Sequence, residues 1–166
     1  PEPGTVAWNA EDGLPSPTHA YAVTVHDGDA WVGTWYGGGH VARTGEGERA
    51  HDDGRHSGGY FVDGADRMWT AWIDRGFVER SAGRTWFWPR PGVHSVDRAA
   101  RRPDGRLWLA SSRGLFLTPD ADATPALVTA APPPGWPRDW NLPLDAVIED
   151  ARGTLWVVNG EQVAHA

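Results

Sequence analysis

The chain has 166 residues and a formal net charge of −7, with 21 glycines, 14 prolines and 11 tryptophans. Because it contains no cysteine and no lysine, disulfides, thiolate nucleophiles, Schiff-base lysines and the lysine of a phosphate-binding P-loop are excluded. The acidic balance and the scattered arginines argue against nucleic-acid binding, and no run of 18 apolar residues predicts a membrane span.

One pattern recurs along the chain: an alternating apolar strand, a turn and a second strand that carries a tryptophan. The copies are AYAVTVHDGDAWVGTW, GGYFVDGADRMWTAW, SVDRAARRPDGRLWLAS and DAVIEDARGTLWVVNG. Their tryptophans are separated by 38, 39 and 48 residues: Trp31, Trp69, Trp108 and Trp156. Repeats of about 40 residues with about four short strands each are typical of β-propeller blades. An antiparallel sandwich is the alternative architecture.

The predicted fold is therefore all-β, a four-bladed β-propeller formed by a single domain, 1–166. Blade 1 is predicted over about 17–52, blade 2 over about 56–90, blade 3 over about 94–130, and blade 4 over about 141–166. An additional N-terminal strand, Gly4–Asn9 (GTVAWN), is expected to complete blade 4, which would close the ring and remove a sheet edge. The four repeat tryptophans are expected to be wedged between neighbouring blades.

The segment EDGLPSPTHAYAVTVHDGDAWVGTWYGGGHVAR carries DGLPS at 12–16, WVGT at 31–34 and a glycine pair at 38–39. This order of motifs resembles the propeller repeat of bacterial two-component-regulator sensor domains, and the fourth copy keeps part of it in IEDARGTLW. The resemblance implies a propeller fold and carries no catalytic motif. Family members are mostly periplasmic ligand sensors with larger rings, and related propellers include a lyase that acts on a cyclic peptide antibiotic. We expect a short, stand-alone member.

Three histidines lie at similar places, 12 to 14 residues before a repeat tryptophan: His19, His56 and His94. These places are the starts of the predicted inner strands, which converge around the axis at one face of a propeller, a common position for a ligand site. Neutral imidazoles bind iron, zinc or copper, and three of them with open positions suit a catalytic metal. The alternatives are a histidine-lined pocket for an organic ligand and a chance placement of loop histidines.

The residues that follow the tryptophan strands reach the same face and differ most among the copies. Tyr36 is a candidate general acid, Asp74 a candidate base and Arg113 a candidate anion clamp, although Asp74 and Arg75 alternatively form an ordinary surface ion pair. Flat aromatic rings and polar groups bind sugars, aromatic rings or cations. The candidate ligand-binding residues at this face are Trp35, His40, Trp72, Trp140, Asn141 and Asn159.

Two functional hypotheses follow from these patterns. The preferred one is a small stand-alone enzyme of the lyase or oxygenase type that acts on a small organic molecule at the axial face, with or without a histidine-bound divalent transition metal. The alternative is a non-catalytic sensor module that binds a ligand or a carbohydrate. In both cases we expect a monomer with a small-molecule partner and without a nucleic-acid or membrane partner.

Overall fold

The structure is a computed structural model that describes residues 20–34, 37–44, 47–52, 56–119, 128–129, 144–160 and 162–165. Throughout these residues the regular secondary structure is β-strand, which confirms the all-β prediction. The same residues contain no helix that is long and apolar enough to cross a membrane. The predicted N-terminal strand over 4–9 lies outside the described residues, so closure of a four-bladed ring stays a prediction.

The strands form four antiparallel units in chain order. Unit 1 comprises β1 (Ala20–His26), β2 (Asp29–Thr34), β3 (Gly38–Thr44) and β4 (Gly47–Asp52). Unit 2 comprises β5 (His56–Val62), β6 (Met68–Trp72), β7 (Gly76–Ser81) and β8 (Arg84–Pro89). Unit 3 comprises β9 (Val96–Arg101), β10 (Leu107–Ser111), β11 (Gly114–Leu117) and β12 (Val128–Thr129), and unit 4 comprises β13 (Ala146–Glu149), β14 (Leu155–Asn159) and β15 (Gln162–His165). Each strand pairs with the next, so each unit is a meander.

The first strands of successive units lie side by side. Strand β1 contacts β5, β5 contacts β9, and β9 contacts β13, whereas β1 and β13 form no comparable contact. A parallel bridge between Gly58 and Val96 joins units 2 and 3 at this place. A Cβ atom at Gly33 would overlap the Gly58 carbonyl oxygen, and one at Gly58 would overlap the Val96 carbonyl oxygen. Glycine therefore permits the close approach of backbones that arranges the units in a curled row.

The turn between β5 and β6 explains why an aspartate precedes the repeat tryptophan by six residues. The Asp63 Oδ1 atom accepts hydrogen bonds from the backbone N–H groups of Ala65 (2.9 Å) and Arg67 (3.0 Å). Its Oδ2 atom accepts the indole N–H of Trp69 at 3.0 Å and pairs with the Arg67 Nε atom at 2.7 Å. One buried carboxylate thus fixes both the turn and the orientation of the tryptophan.

Unit 4 repeats this arrangement at its own first turn. Asp150 Oδ1 accepts the backbone N–H groups of Arg152 (2.8 Å) and Thr154 (3.0 Å), and Oδ2 accepts the indole N–H of Trp156 (3.2 Å). The indole hydrogen bond, together with the backbone hydrogen bonds, holds the pKa of Asp150 below its usual range. The equivalence of the two turns is therefore a property of the local sequence.

Units 1 and 3 lack the aspartate, and their tryptophans have other acceptors. Arg102 occupies the equivalent place in unit 3, and the Trp108 indole N–H donates to the Glu149 carboxylate of unit 4 at 2.7 Å. In unit 1 the turn is one residue shorter, and the Trp31 indole N–H donates to the His26 carbonyl at 3.4 Å. The indole N–H of the repeat tryptophan thus donates a hydrogen bond within its own unit in units 1, 2 and 4. In unit 3 it donates to the next unit.

The apolar core lies between the units. Units 2 and 3 share a buried cluster that contains Trp69, Phe77, Val96, Leu109 and Phe116. Units 3 and 4 share one that contains Ala110, Leu115, Val147, Leu155 and Val157. A smaller cluster, Trp31, Tyr60 and Met68, joins units 1 and 2. Since every cluster combines side chains of two units, one isolated unit could not bury its own apolar face.

The repeat tryptophans differ in burial, in contrast to the expectation that all four are wedged between units. Trp31 and Trp69 are buried, and Trp108 is half-buried against the cluster of units 3 and 4. Trp156 is 39% exposed and contacts the His165 ring of its own unit. It lies on the face of unit 4 directed away from unit 3, so the expectation is wrong for this residue.

Candidate functional site

The loops that follow the second strands of units 2 and 3 both contact the segment that leads into β9. The Asp74 N–H donates to the Val93 carbonyl at 2.8 Å, which joins the β6–β7 turn to the segment before β9. The Ser112 N–H donates to the Ser95 carbonyl at 3.2 Å, which joins the β10–β11 turn to the same segment. We call this end of the molecule the loop face. It brings residues of units 2 and 3 into one cluster.

His94 and Asp74 form the centre of this cluster. The His94 Nδ1 atom lies 3.8 Å from the Asp74 Oδ1 atom, at the edge of ion-pair distance. Asp74 has a φ of 60°, a left-handed conformation that aspartate tolerates in turns. The His94 backbone is fixed because its N–H donates to the Ser112 Oγ atom at 2.7 Å. The imidazole is partly exposed and the carboxylate is mostly exposed, so both face solvent.

Arg113 lies against the same segment. A Cβ atom at Gly92 would lie 3.2 Å from the Arg113 Nε atom, so the guanidinium packs on the glycine that precedes Val93 and His94. The Arg113 backbone N–H donates to the Ser111 Oγ atom at 3.1 Å, which fixes the start of the side chain. Three residues selected from the sequence, Asp74, His94 and Arg113, therefore lie in adjoining loops on one face.

Asp97 adds a further titratable group that the sequence reasoning missed. Burial raises the pKa of Asp97, and the nearby negative charge of Asp145 acts in the same direction, while Arg98 and His94 act against it. Its Oδ2 atom accepts the Ser95 hydroxyl at 3.0 Å. The sequence feature that could have identified Asp97 is its position three residues after His94, on the first strand of unit 3, β9.

Three other predicted ligand-binding residues are described, and they differ in surroundings. Trp72 is half-buried, with the Phe87 ring edge-on at 5.7 Å and the Arg75 guanidinium 5.1 Å above its ring. His40 lies within β3 and stacks on Trp31 with ring centroids 4.3 Å apart. Asn159 ends β14 in the loop that returns to β15. Trp72 adjoins the Asp74 loop directly, whereas the His40 ring is part of the packing around Trp31.

The remaining predicted residues stay untested by the geometry. His19, Trp35, Tyr36, Trp140 and Asn141 lie outside the described residues. The backbone of His56 begins β5 and pairs with Trp72, but the structure does not describe the His56 side chain. The three-histidine metal site, and the role of Tyr36 as a general acid, therefore stay predictions.

A second group of side chains of the kinds that bind metal ions lies at the turns between the first and second strands, on the side of the units opposite the loop face. Within the part of the chain that the structure describes, His26, Asp27 and Asp66 bring one ligand atom each within 4.8 Å of one another. The His26 ring lies between the carboxylates, with Nε2 3.3 Å from Asp66 Oδ1 and Nδ1 3.7 Å from Asp27 Oδ2. Both aspartates are exposed turn residues. The His26 Nε2 atom also lies 3.1 Å from the Asp66 carbonyl oxygen, so contacts to these two turns account for the position of the ring.

The folded chain thus belongs by architecture to the all-β, propeller-like class, since consecutive meanders share buried faces and line up their first strands. No protein-family model matches the chain, and no curated protein matches it in sequence. Solved structures do match. The extracellular domain of a protein described as a hybrid two-component system, BT3049 from B. thetaiotaomicron, has a TM-score of 0.67 at 14% identity, over 90% of this chain and 21% of that chain.

Two further structures have similar scores. The extracellular domain of a protein described as a one-component system, BT4673 from B. thetaiotaomicron, has a TM-score of 0.65 at 14% identity, over 95% of this chain and 22% of that chain. Virginiamycin B lyase from Staphylococcus aureus has a TM-score of 0.58 at 15% identity, over 92% and 54%. At such identities the similarity shows the fold alone. The chain spans about a fifth of the sensor-type structures and about half of the lyase.

Proposed function

We propose that the protein binds a small organic ligand on the loop face, at the cluster of Asp74, His94 and Arg113. The observation that carries the proposal is the 3.8 Å approach of His94 to Asp74 beside the loop that holds Arg113. In this proposal the four units are propeller blades, and the loop face is the mouth of the ring. The sensor-type extracellular domains among the structural neighbours support a binding role.

The chemistry of the cluster defines the class of ligand. A guanidinium such as that of Arg113 pairs preferentially with carboxylate or phosphate oxygens. His94 offers a ring nitrogen as donor or acceptor, and Asp74 offers a carboxylate that accepts from a hydroxyl or an amine. The ligand is therefore a small molecule that combines an acidic group with a hydroxyl or amino group, and the half-buried ring of Trp72 forms an apolar border.

A second function, acid–base catalysis, is favoured by the His94–Asp74 pair itself. An imidazole beside a carboxylate accepts a proton and donates it again, and an adjacent guanidinium stabilises the negative charge that proton abstraction creates. One structural neighbour is a catalytically inactive variant of virginiamycin B lyase, in which a histidine is replaced by alanine, solved with quinupristin. For this chain, His94 would be the base and Arg113 the group that holds the anion.

The predicted divalent transition metal belongs to the same enzymatic proposal. It requires the side chains of His19, His56 and His94 to point to a common centre, and only the last of these is described. Elemental analysis of the purified protein tests this part directly: a stoichiometric metal that is lost in the His56→Ala variant supports it. A metal-free protein whose stability is the same in chelator removes the metal from the proposal and leaves the ligand site unaffected.

The binding proposal is tested by thermal shift and calorimetry with a panel of small carboxylates, amino acids and sugar acids, and with neutral analogues of each. We expect acids to bind and their neutral analogues to fail. Arg113→Gln should weaken binding by about tenfold or more, because it removes a charge-assisted hydrogen bond. Arg152→Gln, at an exposed turn of unit 4, is the matched control and should leave affinity unchanged.

The same panel separates a binding module from an enzyme. Each ligand that binds is incubated with the protein, and its mass is followed over time. Turnover that disappears in His94→Gln while binding persists would establish the catalytic function, and binding without turnover would establish the sensor-type function. Ligands whose affinity is indifferent to both Arg113→Gln and His94→Gln would refute the site.

A further inference from the structure

A cleft lies between units 1 and 2, at the turns on the side opposite the loop face. Its volume is about 190 Å³, which is below the range of about 300–1,000 Å³ that is typical of pockets for drug-sized ligands. Its buried lining is formed by Trp31 and Met68, which belong to the apolar cluster that joins the two units. The two units thus leave room for a small molecule beside that cluster.

The two walls of the cleft end in turns of the same type. Between β1 and β2 of unit 1, Asp27 and Gly28 have φ values of 53° and 86°. Between β7 and β8 of unit 2, Ala82 and Gly83 have φ values of 47° and 70°. Positive φ at both positions of a two-residue turn is the type I′ pattern, which matches the twist of a hairpin. These turns fix the backbone positions from which the side chains of Asp27 and Arg84 start.

The unit 2 wall carries positive charge, because Arg80 and Arg84 line the cleft. The Arg80 guanidinium lies 4.9 Å from the centroid of the Trp31 ring, a cation–π contact that places this charge beside the buried lining. Arg84 begins β8 at the exposed rim, and among the described residues no carboxylate pairs with it. Guanidinium groups bind carboxylate and phosphate oxygens preferentially. This wall therefore offers a site for an acidic group.

The unit 1 wall carries a carboxylate. The His26 Nε2 atom donates to the Asp66 carbonyl oxygen at 3.1 Å, since a carbonyl can only accept, and this contact fixes the ring. The other ring nitrogen, Nδ1, lies 3.7 Å from the Asp27 Oδ2 atom, which is longer than a hydrogen bond. Asp27 lines the cleft with a mostly exposed side chain. Its oxygens can therefore accept hydrogen bonds from an amino group of a ligand.

We propose that this cleft binds a small zwitterion of the amino-acid type, with its carboxylate at Arg80 and Arg84 and its ammonium group at Asp27. Opposite charges on the two walls select such a ligand, because Asp27 repels a simple anion and the arginines repel a simple cation. The small volume favours a molecule without a large side chain. Since the walls belong to different units, the bound ligand connects units 1 and 2. The site is separate from the loop face and does not depend on the function proposed there.

Nuclear magnetic resonance titration of the isotope-labelled protein at neutral pH tests the site. The probes are glycine, β-alanine and γ-aminobutyrate, which separate the two charges by increasing distances. At least one of them should shift the amide signals of Ala82 and Gly83 and the indole N–H signal of Trp31 until saturation. The amide signals of Asp74 and His94 report separately on the loop face, so binding at the two places is distinguished.

Blocked probes and wall variants test the roles of the two charges. N-acetylglycine lacks the ammonium group and glycinamide lacks the carboxylate, so each should bind at least about tenfold more weakly than glycine. Arg84→Gln and Asp27→Asn should each weaken zwitterion binding by about tenfold or more. Both should keep the circular dichroism of the wild type, because Arg84 is exposed and asparagine tolerates the positive φ of position 27. Arg152→Gln, at an exposed turn of unit 4, is the matched control and should leave the affinity unchanged.

Four outcomes would overturn the proposal. The first is the lack of a saturable shift at Ala82, Gly83 and Trp31 with any of the three zwitterions. The second is a set of shifts confined to the signals of the loop face. The third is equal affinity for glycine and its two blocked forms, and the fourth is an affinity that both wall variants leave unchanged.

Discussion

Units 2 and 4 contain the same turn but bury it to different extents. In both, an aspartate accepts two backbone N–H groups and the indole N–H of the tryptophan six residues later. Trp69 of unit 2 is fully buried, whereas Trp156 of unit 4 is 39% exposed. Unit 2 lies between units 1 and 3, and unit 4 contacts unit 3. The turn is therefore determined locally, and burial is determined by the number of neighbouring units.

Substitution of the two tryptophans should produce the largest difference between these units. Trp69→Ala removes a fully buried ring and leaves a cavity among Phe77, Val96 and Phe116, so it should cost about 4 kcal/mol of unfolding free energy. Trp156→Ala removes a partly exposed ring and should cost about 1 kcal/mol in the single chain. Urea unfolding at low protein concentration measures both. Similar losses for the two variants would contradict the assignment of burial to neighbouring units.

Substitution of the turn aspartates should also cost more unfolding free energy in unit 2 than in unit 4. The difference should be smaller than the one for the tryptophans. Asp63→Asn removes a buried negative charge that pairs with the Arg67 Nε atom at 2.7 Å. The Arg67 guanidinium then loses its counter-charge. We expect a loss of about 3 kcal/mol by urea unfolding. Asp150→Asn, the matched variant at an exposed turn, should lose clearly less. The comparison fails if Asp150→Asn is as destabilising as Asp63→Asn.

The strands and turns were predictable from the sequence because their causes are local. Alternation of apolar residues, and the spacing from Asp63 to Trp69, are visible within a dozen residues. Counting from the tryptophans also selected Asp74, His94 and Arg113, since loops at equivalent places in a repeat reach the same face. The roles of these residues stay predictions, because several partners named with them lie outside the described residues.

Other features depend on contacts between distant parts of the chain and could not be predicted in this way. The raised pKa of Asp97 results from burial and from the charge of Asp145, which is 48 positions further along the sequence. The exposure of Trp156 results from the absence of a unit beyond unit 4 in the described structure. A repeat pattern assigns the same role to each copy, so it cannot distinguish a terminal unit from an internal one.

The smallest expected effect concerns the residue that lies across the ladder from Trp69. Burial raises the pKa of Glu79 on β7, and the positive charge of Arg67 acts in the opposite direction. Because the folded state favours the neutral acid, this contribution to stability is complete below the unfolded pKa of about 4.3. It is lost as the pH rises through the higher folded pKa.

Glu79→Gln keeps the shape of the neutral side chain at every pH and so isolates this effect. The wild type and the variant should have nearly equal stability at pH 4, and the variant should become the more stable protein as the pH rises toward 7. Urea unfolding at several pH values between 4 and 7 measures the difference between the two curves. A constant difference over that range would show that the pKa of Glu79 is the same in the folded and unfolded states. The surroundings of Glu79 beside Trp69 would then stabilise the charged carboxylate as well as water does.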